Sequence, residues 1–306
     1  MCYRTLARKN LGFRGSRGSR DAGTRAELIA ARTALGSART RPGMSRFLLA
    51  LVALVSARPG RRAGARAANA DLEGAIRDAY VDKHQVHHGT IQVDGENVEF
   101  LEAGPKDAAK TVLFCHGAAF SMTTWQHVGV LDALAERGMR AIALNLPGYG
   151  ASSKTIGGWQ GKAGFIRRVA EALDLPSTLM IVAASMGGSY ALPFVQDPGP
   201  YKIAGYVAAA AVRSRHNARP PSISILGIYG SEDQPRLDSD RRACFADPPS
   251  PYGCYGNRTQ LIVLANAPHP CYLRDAAAAR QFTNLVVAFA GGAATAEPAL
   301  SVRAAW

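Results

Sequence analysis

The run Thr178-Leu-Met-Ile-Val-Ala-Ala-Ser185-Met-Gly-Gly-Ser-Tyr-Ala-Leu192 sets a serine where an apolar stretch gives way to two glycines. The apolar stretch reads as a β-strand ending at Ala183, one residue intervenes, and Gly187-Gly188 opens a helical pattern. A sharp strand-to-helix turn crowds the positions two before and two after its central residue, so small residues belong there, and Ala183 and Gly187 supply them. The Ser185 hydroxyl would then stand above a sheet at the positive end of a helix. A serine in an ordinary turn can share the small-x-Ser-x-Gly spacing. The strand–turn–helix context selects Ser185 as a nucleophile.

A serine hydroxyl needs a base to take its proton. His269, in Asn266-Ala-Pro-His-Pro-Cys-Tyr-Leu273 after the last strand-like run, fits in place and order. His84, His87 and His88 precede the sheet, where a solvated turn is expected and a metal site is not, since no Cys or acidic ligands accompany them. His127 falls on a helix and His216 in a loop after the wrong strand. The acid that orients the imidazole should follow the penultimate strand. Ile228-Tyr-Gly-Ser-Glu-Asp233 offers Asp233, with Glu232 as the alternative. Asp238 and Asp240 read as solvated helix charges. The order Ser, Asp, His is one that strand–turn–helix nucleophiles use.

An oxyanion formed by attack on a carbonyl requires backbone N–H donors. One is expected from Met186, the other from the loop Phe114-Cys-His-Gly-Ala-Ala-Phe120, with Ala118 the first choice and Ala119 the second. His116 reads as a brace for that loop. Leu146-Pro-Gly-Tyr-Gly-Ala-Ser152 is a turn at the pocket edge; a lone Gly-x-Gly without a later acid in a βαβ frame does not mark a dinucleotide site. No cofactor and no metal are implied.

The elements that must hold these residues alternate. Thr90–Leu101 alternates apolar and polar residues around Asp94-Gly95, a hairpin pattern. Apolar runs follow at Thr111–Cys115, Arg140–Leu144, Thr178–Ala184, Ile203–Ala211, Ser224–Tyr229 and Gln260–Ala265. Helical patterns lie between or after them at Trp125–Arg137, Gln160–Leu173, Met186–Val195 and Asp275–Ala290. Short unbroken apolar runs suit strands buried on both faces, so a doubly wound, mostly parallel α/β sheet with an antiparallel N-terminal hairpin is expected. Only residues 212–223 separate two of the runs, too few for a helical lid, which implies an open pocket.

The formal net charge of +13 is confined to one end. Residues 1–70 hold 15 Lys and Arg against two acids, Asp21 and Glu27, while the rest holds 21 of each sign. Nucleic acid is therefore not an expected partner of the folded part. Residues 1–70 read as a basic targeting segment and 71–87 as a short lead-in. Residues 88–290 form the catalytic domain and 291–306 a tail. The apolar run Phe47–Val55 is short for a spanning helix and suits a signal core. Import into a plastid or mitochondrion, or the secretory pathway with Met44 as the start, would both fit. A membrane association follows only if the 47–55 run is kept as an anchor, and a cytoplasmic protein if the segment is a mis-assigned start. Cys244 and Cys254 could close a local loop in an oxidising compartment, whereas Cys115 reads as core. A monomer is expected.

His116-Gly117, Leu146-Pro-Gly-Tyr-Gly150, Ala183-Ala-Ser-Met-Gly187 and Gly230-Ser-Glu-Asp233 together resemble the α/β-hydrolase superfamily. Phe120-Ser-Met-Thr-Thr-Trp-Gln126, Tyr190-Ala-Leu-Pro-Phe194 and above all Pro268-His-Pro-Cys-Tyr-Leu273 resemble, more narrowly, the alpha/beta hydrolase domain-containing protein 14 family. The resemblance runs from about residue 88 to 290. It implies a lidless α/β-hydrolase fold and cleavage of small acyl esters by Ser185, His269 and Asp233. It leaves open the removal of acetyl groups from lysine with coenzyme A as acceptor; one branch of the family carries an N-terminal anchor. The expected substrate is a small acyl compound, with an acylated protein side chain as the larger alternative. The competing readings are an acyltransferase using the same three residues and a catalytically idle binding protein of the same fold.

Overall fold

The computed structural model describes residues 86–154, 161–212, 223–234, 236–238, 240 and 259–292. His84, His216, the Cys244–Cys254 pair, the N-terminal segment with its 47–55 run and residues 293–306 of the C-terminal tail lie outside them.

Strands β1 (His87–Val93) and β2 (Glu96–Ala103) form the hairpin. Asp94 and Gly95 both take positive φ, 52° and 82°, the turn whose twist matches paired strands. Then follow β3 (Thr111–Cys115), α1 (Thr123–His127), α2 (Val130–Ala135), β4 (Arg140–Leu144), α3 (Gly161–Ala172) and β5 (Thr178–Ala184). The chain continues through α4 (Gly188–Gln196), β6 (Lys202–Ala209), β7 (Ser224–Gly230), β8 (Thr259–Leu264) and α5 (Ala276–Gly291). The sheet has eight strands in the order β1-β2-β4-β3-β5-β6-β7-β8. Only β1–β2 and β2–β4 pair antiparallel, and every other neighbour is parallel. The expected doubly wound α/β architecture with its N-terminal hairpin is therefore present.

Helices on both faces explain the unbroken apolar runs. In β3, Val112 and Phe114 point into a core with Trp125, Leu131, Phe282 and Val286 from α1, α2 and α5. Leu113 and Cys115 point the other way, among Phe165, Ile166, Leu192 and Phe194 from α3 and α4. Each fully buried side chain of this size stabilises the fold by roughly 1.5–3 kcal/mol, so a strand loaded on both faces has no polar side to spare.

Two expectations are corrected. The single helix over Trp125–Arg137 is two short ones, because Gly129 between them sits at φ 80°, a left-handed conformation that cannot continue a helix. His87 and His88 are not in a turn but on β1, where His88 Nε2 lies 2.6 Å from Glu99 Oε1 on β2. The connection from β6 to β7 spans only residues 210–223, and no lid is present among the described residues. No helix among them is long and apolar enough to cross a membrane.

Candidate active site

Ser185 stands just past the C-terminal end of β5, in a 3₁₀ turn that leads straight into α4. Its φ is 44°, a conformation that a side chain normally avoids and that here aims the hydroxyl out of the sheet. The turn is locked from two sides, by Cys115 and by Val212. A Cβ on Gly187 would lie 2.4 Å from the Cys115 carbonyl oxygen, and one on Gly188 would lie 2.6 Å from that of Val212. Val212 N also donates to Ser185 O at 2.7 Å. Both glycines are therefore required by close backbone approach, Gly187 as the spacing implied and Gly188 in addition.

The loops after β7 and β8 are zipped together before either presents its side chain. Ser231 N donates to Leu264 O and Glu232 N to Ala267 O, both at 2.9 Å, and Asn266 N donates to Ser231 Oγ at 2.8 Å. Gly230 lets them meet: a Cβ there would be 2.0 Å from Ala267 O. Asp233 and His269 are delivered side by side as a result. Asp233 Oδ2 is 2.9 Å from His269 Nδ1, and His269 Nε2 is 3.0 Å from Ser185 Oγ. With Nδ1 donating to the carboxylate, Nε2 is left as the acceptor for the serine proton. Glu232, the alternative acid, is exposed. The His269–Pro270 peptide is cis.

The loop after β3 lies against the same serine, since a Cβ on Gly117 would be 3.4 Å from Ser185 Cβ. His116 braces it as expected. Its Nδ1 donates to Gly117 O at 2.8 Å and its Nε2 accepts from Leu146 N at 3.0 Å, joining this loop to the turn after β4. Complete burial lowers the imidazole's pKa to about 4, opposed only by the bond to Gly117, so the ring is neutral. The Tyr149 ring meets His116 edge-on, and its hydroxyl donates to Ala118 O at 2.8 Å while lying 3.5 Å from Met186 Sδ. Tyr149 thus links Ala118 and Met186.

The turn that carries Tyr149 is held by a buried carboxylate. Glu99 Oε2 accepts from Asn145 Nδ2 at 2.6 Å and from Ala151 N at 2.8 Å. Burial pushes its pKa up, but these bonds and that of His88 prevail and hold it below the ordinary glutamate value. A residue on a hairpin strand is far in sequence from Ser185, and only the sheet pairing brings it here.

Sequence reasoning also passed over Arg236. Its Nη1 donates to Ala210 O at 2.7 Å and comes within 3.5 Å of Ser185 Oγ, and its Nε stands 3.8 Å from Asp233 Oδ2. The one available signal was its place three residues after Asp233. Asp240, read as a solvated charge, is instead buried and accepts from the Tyr229 hydroxyl at 2.8 Å, because the β7 aromatic that it partners needs an acceptor in the core. Cys115 is core, its thiol pushed up to about 12 by burial. Among the described residues no group of three or more His, Cys, Asp or Glu could hold a metal ion. A cavity of about 790 Å³ opens at the opposite end of the sheet, lined by Lys110, Thr111, Thr178 and Ser224. In open α/β sheets ligands sit at the carboxyl ends of strands, the end where Ser185 lies and not the end of this cavity.

The alpha/beta hydrolase family model matches residues 112–305. The chain is 34% identical over 201 residues to the putative protein-lysine deacylase ABHD14B of Rattus norvegicus, a span of 62% of this chain and 90% of that protein. It is 32% identical over 168 residues to protein ABHD14A of Mus musculus, 53% of this chain and 64% of that one. Among solved structures, the predicted CIB-like hydrolase from Thermoplasma acidophilum matches with a TM-score of 0.56 at 20% identity, covering 67% of this chain and 98% of that one.

Proposed function

We propose that this chain, which belongs to the alpha/beta hydrolase family and is close to its ABHD14 members, is a serine hydrolase that cleaves small acyl esters through an acyl-Ser185 intermediate. The observation that carries the reading is the unbroken run of contacts Asp233–His269–Ser185, at 2.9 and 3.0 Å, on a serine with a φ of 44°.

His269 takes the Ser185 proton as the hydroxyl oxygen attacks the acyl carbon. It then returns that proton to the leaving group as the tetrahedral intermediate collapses to the acyl-enzyme. Water, deprotonated by the same nitrogen, releases the acid and restores the serine. Asp233 fixes the tautomer and stabilises the imidazolium. The N–H groups of Ala118 and Met186 receive the developing oxyanion, a contribution whose loss typically lowers the rate about 100–1000-fold per donor. A serine rather than an aspartate at the turn separates this chemistry from carboxylate-nucleophile members of the same fold. The connection over residues 210–223 leaves little chain for a lid, which favours short acyl groups and tolerates a large leaving group.

The relatives' name favours a second reading of the same site, in which the leaving group is the side-chain amine of a protein lysine. Both are tested by labelling the full chain and its Ser185→Ala variant with a fluorophosphonate, and following 4-nitrophenyl butyrate and an acetyl-lysine peptide in parallel. Labelling and turnover should vanish with Ser185, turnover by about 10⁴–10⁶. A folded protein that neither labels nor turns over would leave a binding protein of the same fold.

A further inference from the structure

Simple ester hydrolysis has no use for the guanidinium of Arg236, yet besides His269 it is the only basic side chain that reaches Ser185 Oγ among the described residues, at 3.5 Å. Its own partners leave the charge poorly matched. Nη1 donates to a neutral acceptor, Ala210 O, at 2.7 Å. Asp233 is the only carboxylate within 4.0 Å among the described residues, but it stands 3.8 Å from Nε and already accepts from His269 at 2.9 Å. Proximity without a hydrogen bond does not satisfy a guanidinium, which presents five donors in a rigid fork. Among the described residues Nη2 has no acceptor. The side chain is 33% exposed, against 13% for Asp233, so of the two it is the more accessible to a ligand.

We propose that Arg236 selects substrates that carry a carboxylate beside the scissile acyl bond. The inference rests on the Ser185 reading above and adds the substrate's charge to it. Once an acyl carbon is bonded to Ser185 Oγ in the tetrahedral intermediate, groups three to five bonds from that carbon, on the acyl or the leaving side, come within reach of a fork 3.5 Å from that oxygen. A carboxylate there makes paired, charge-assisted hydrogen bonds of the kind guanidinium geometry favours. It also completes the ion-pairing that Asp233, engaged by the imidazole, leaves open. The carboxylate can sit at the end of a short acyl chain, as in a succinyl group, or on the leaving group. The same contact serves both.

Two substrate pairs separate these sources in the full chain and in its R236Q and R236K variants. In the first, 4-nitrophenyl hemisuccinate is compared with 4-nitrophenyl butyrate, which differs in acyl charge. In the second, 3-acetoxybenzoate is compared with phenyl acetate, which differs in leaving-group charge. The wild-type ratio of kcat/KM, anionic over neutral, is expected to reach about 10 or more in one pair. R236Q should lower that ratio about 10–100-fold, the range for a charge-assisted hydrogen bond, and R236K should lower it less. The pair that responds names the source. A wild-type ratio near or below one in both pairs overturns the proposal with no variant needed. So does an R236Q ratio within about threefold of wild type in both. Fluorophosphonate labelling of Ser185 runs beside every assay. A wild-type protein that fails to label or to cleave any of the four esters refutes the serine hydrolase reading itself, a different result from a labelled enzyme indifferent to charge.

Discussion

Tyr272 stacks on Trp125 with ring centroids 5.5 Å apart and planes 21° from parallel, and Phe282 closes the cluster at 4.9 Å from Tyr272 and 6.0 Å from Trp125. Tyr272 follows His269 by three residues, and Trp125 lies in α1, the helix after the loop that carries Ala118. The imidazole and the expected oxyanion donor Ala118 are thus anchored to one patch of core. Tyr272→Ala should cost about 3–5 kcal/mol, as removal of a large buried ring usually does. It should also lower kcat, because the His269 loop loses its anchor. Urea unfolding gives the first quantity. A loss below about 1 kcal/mol would mean that the loop is held by something else.

Asp233→Asn tests the choice between two adjacent acids. The amide cannot both accept from His269 Nδ1 and stabilise a positive imidazole, so kcat should fall about 10⁴-fold, the size seen when such a tautomer is lost. Glu232→Gln should stay within about twofold, since Glu232 is exposed and its backbone N–H, not its side chain, binds Ala267 O. Steady-state turnover of the two variants reads the contrast. Comparable losses in both would remove Asp233 from its assigned place.

What was legible beforehand divides along a physical line. Ser185, His269 and Asp233 each sit at a strand end where turn chemistry and chain order constrain the residue type, and the strands themselves are unbroken apolar runs bounded by turn residues. The sheet and the contact chain follow from those local rules. Gly129 could have been read as a helix break, but an apolar period ran through it and outweighed one residue. Arg236, Tyr149, Glu99 and Asp240 gave no comparable signal. Each matters through a partner far away in sequence: Arg236 through Ala210, Tyr149 through Ala118, Glu99 through Asn145 and Ala151, Asp240 through a tyrosine on the strand before it. Polar contacts of this kind carry no period, so pattern reading passes over them.

Tyr149→Phe tests one such residue. The ring still packs against His116, while the bond from the hydroxyl to Ala118 O and its weak contact with Met186 Sδ are lost. A single neutral hydrogen bond is worth about 0.5–1.5 kcal/mol, so kcat should drop about 3–10-fold with KM little changed. That split is expected because the Ala118 peptide is needed for the oxyanion more than for the ground-state ester. Equal rises in KM and no change in kcat would place Tyr149 on the substrate rather than behind the loop.

His116 should make the fold sensitive to mild acid. Its pKa is about 4 in the folded protein against an ordinary 6.5, because the ring is fully buried, and the bond to Gly117 O opposes that shift only in part. Between those values the unfolded chain binds a proton that the folded chain refuses, so unfolding is favoured as the pH falls. The stability is complete above pH 6.5 and is lost progressively down to about pH 4, a total of about 3 kcal/mol for a shift of this size. Glu99 and Asp275, whose pKa values are lowered in the folded state, add an acid sensitivity of their own, so the wild-type curve alone does not isolate the histidine. His116→Gln supplies the comparison, since an amide can still accept from Leu146 N and donate to Gly117 O but does not titrate. Urea midpoints from pH 4 to 7.5 should show the wild type ahead of the variant at neutral pH. The gap should narrow by about 3 kcal/mol as the pH falls through the window. Parallel curves would mean that His116 is protonated as readily in the fold as outside it.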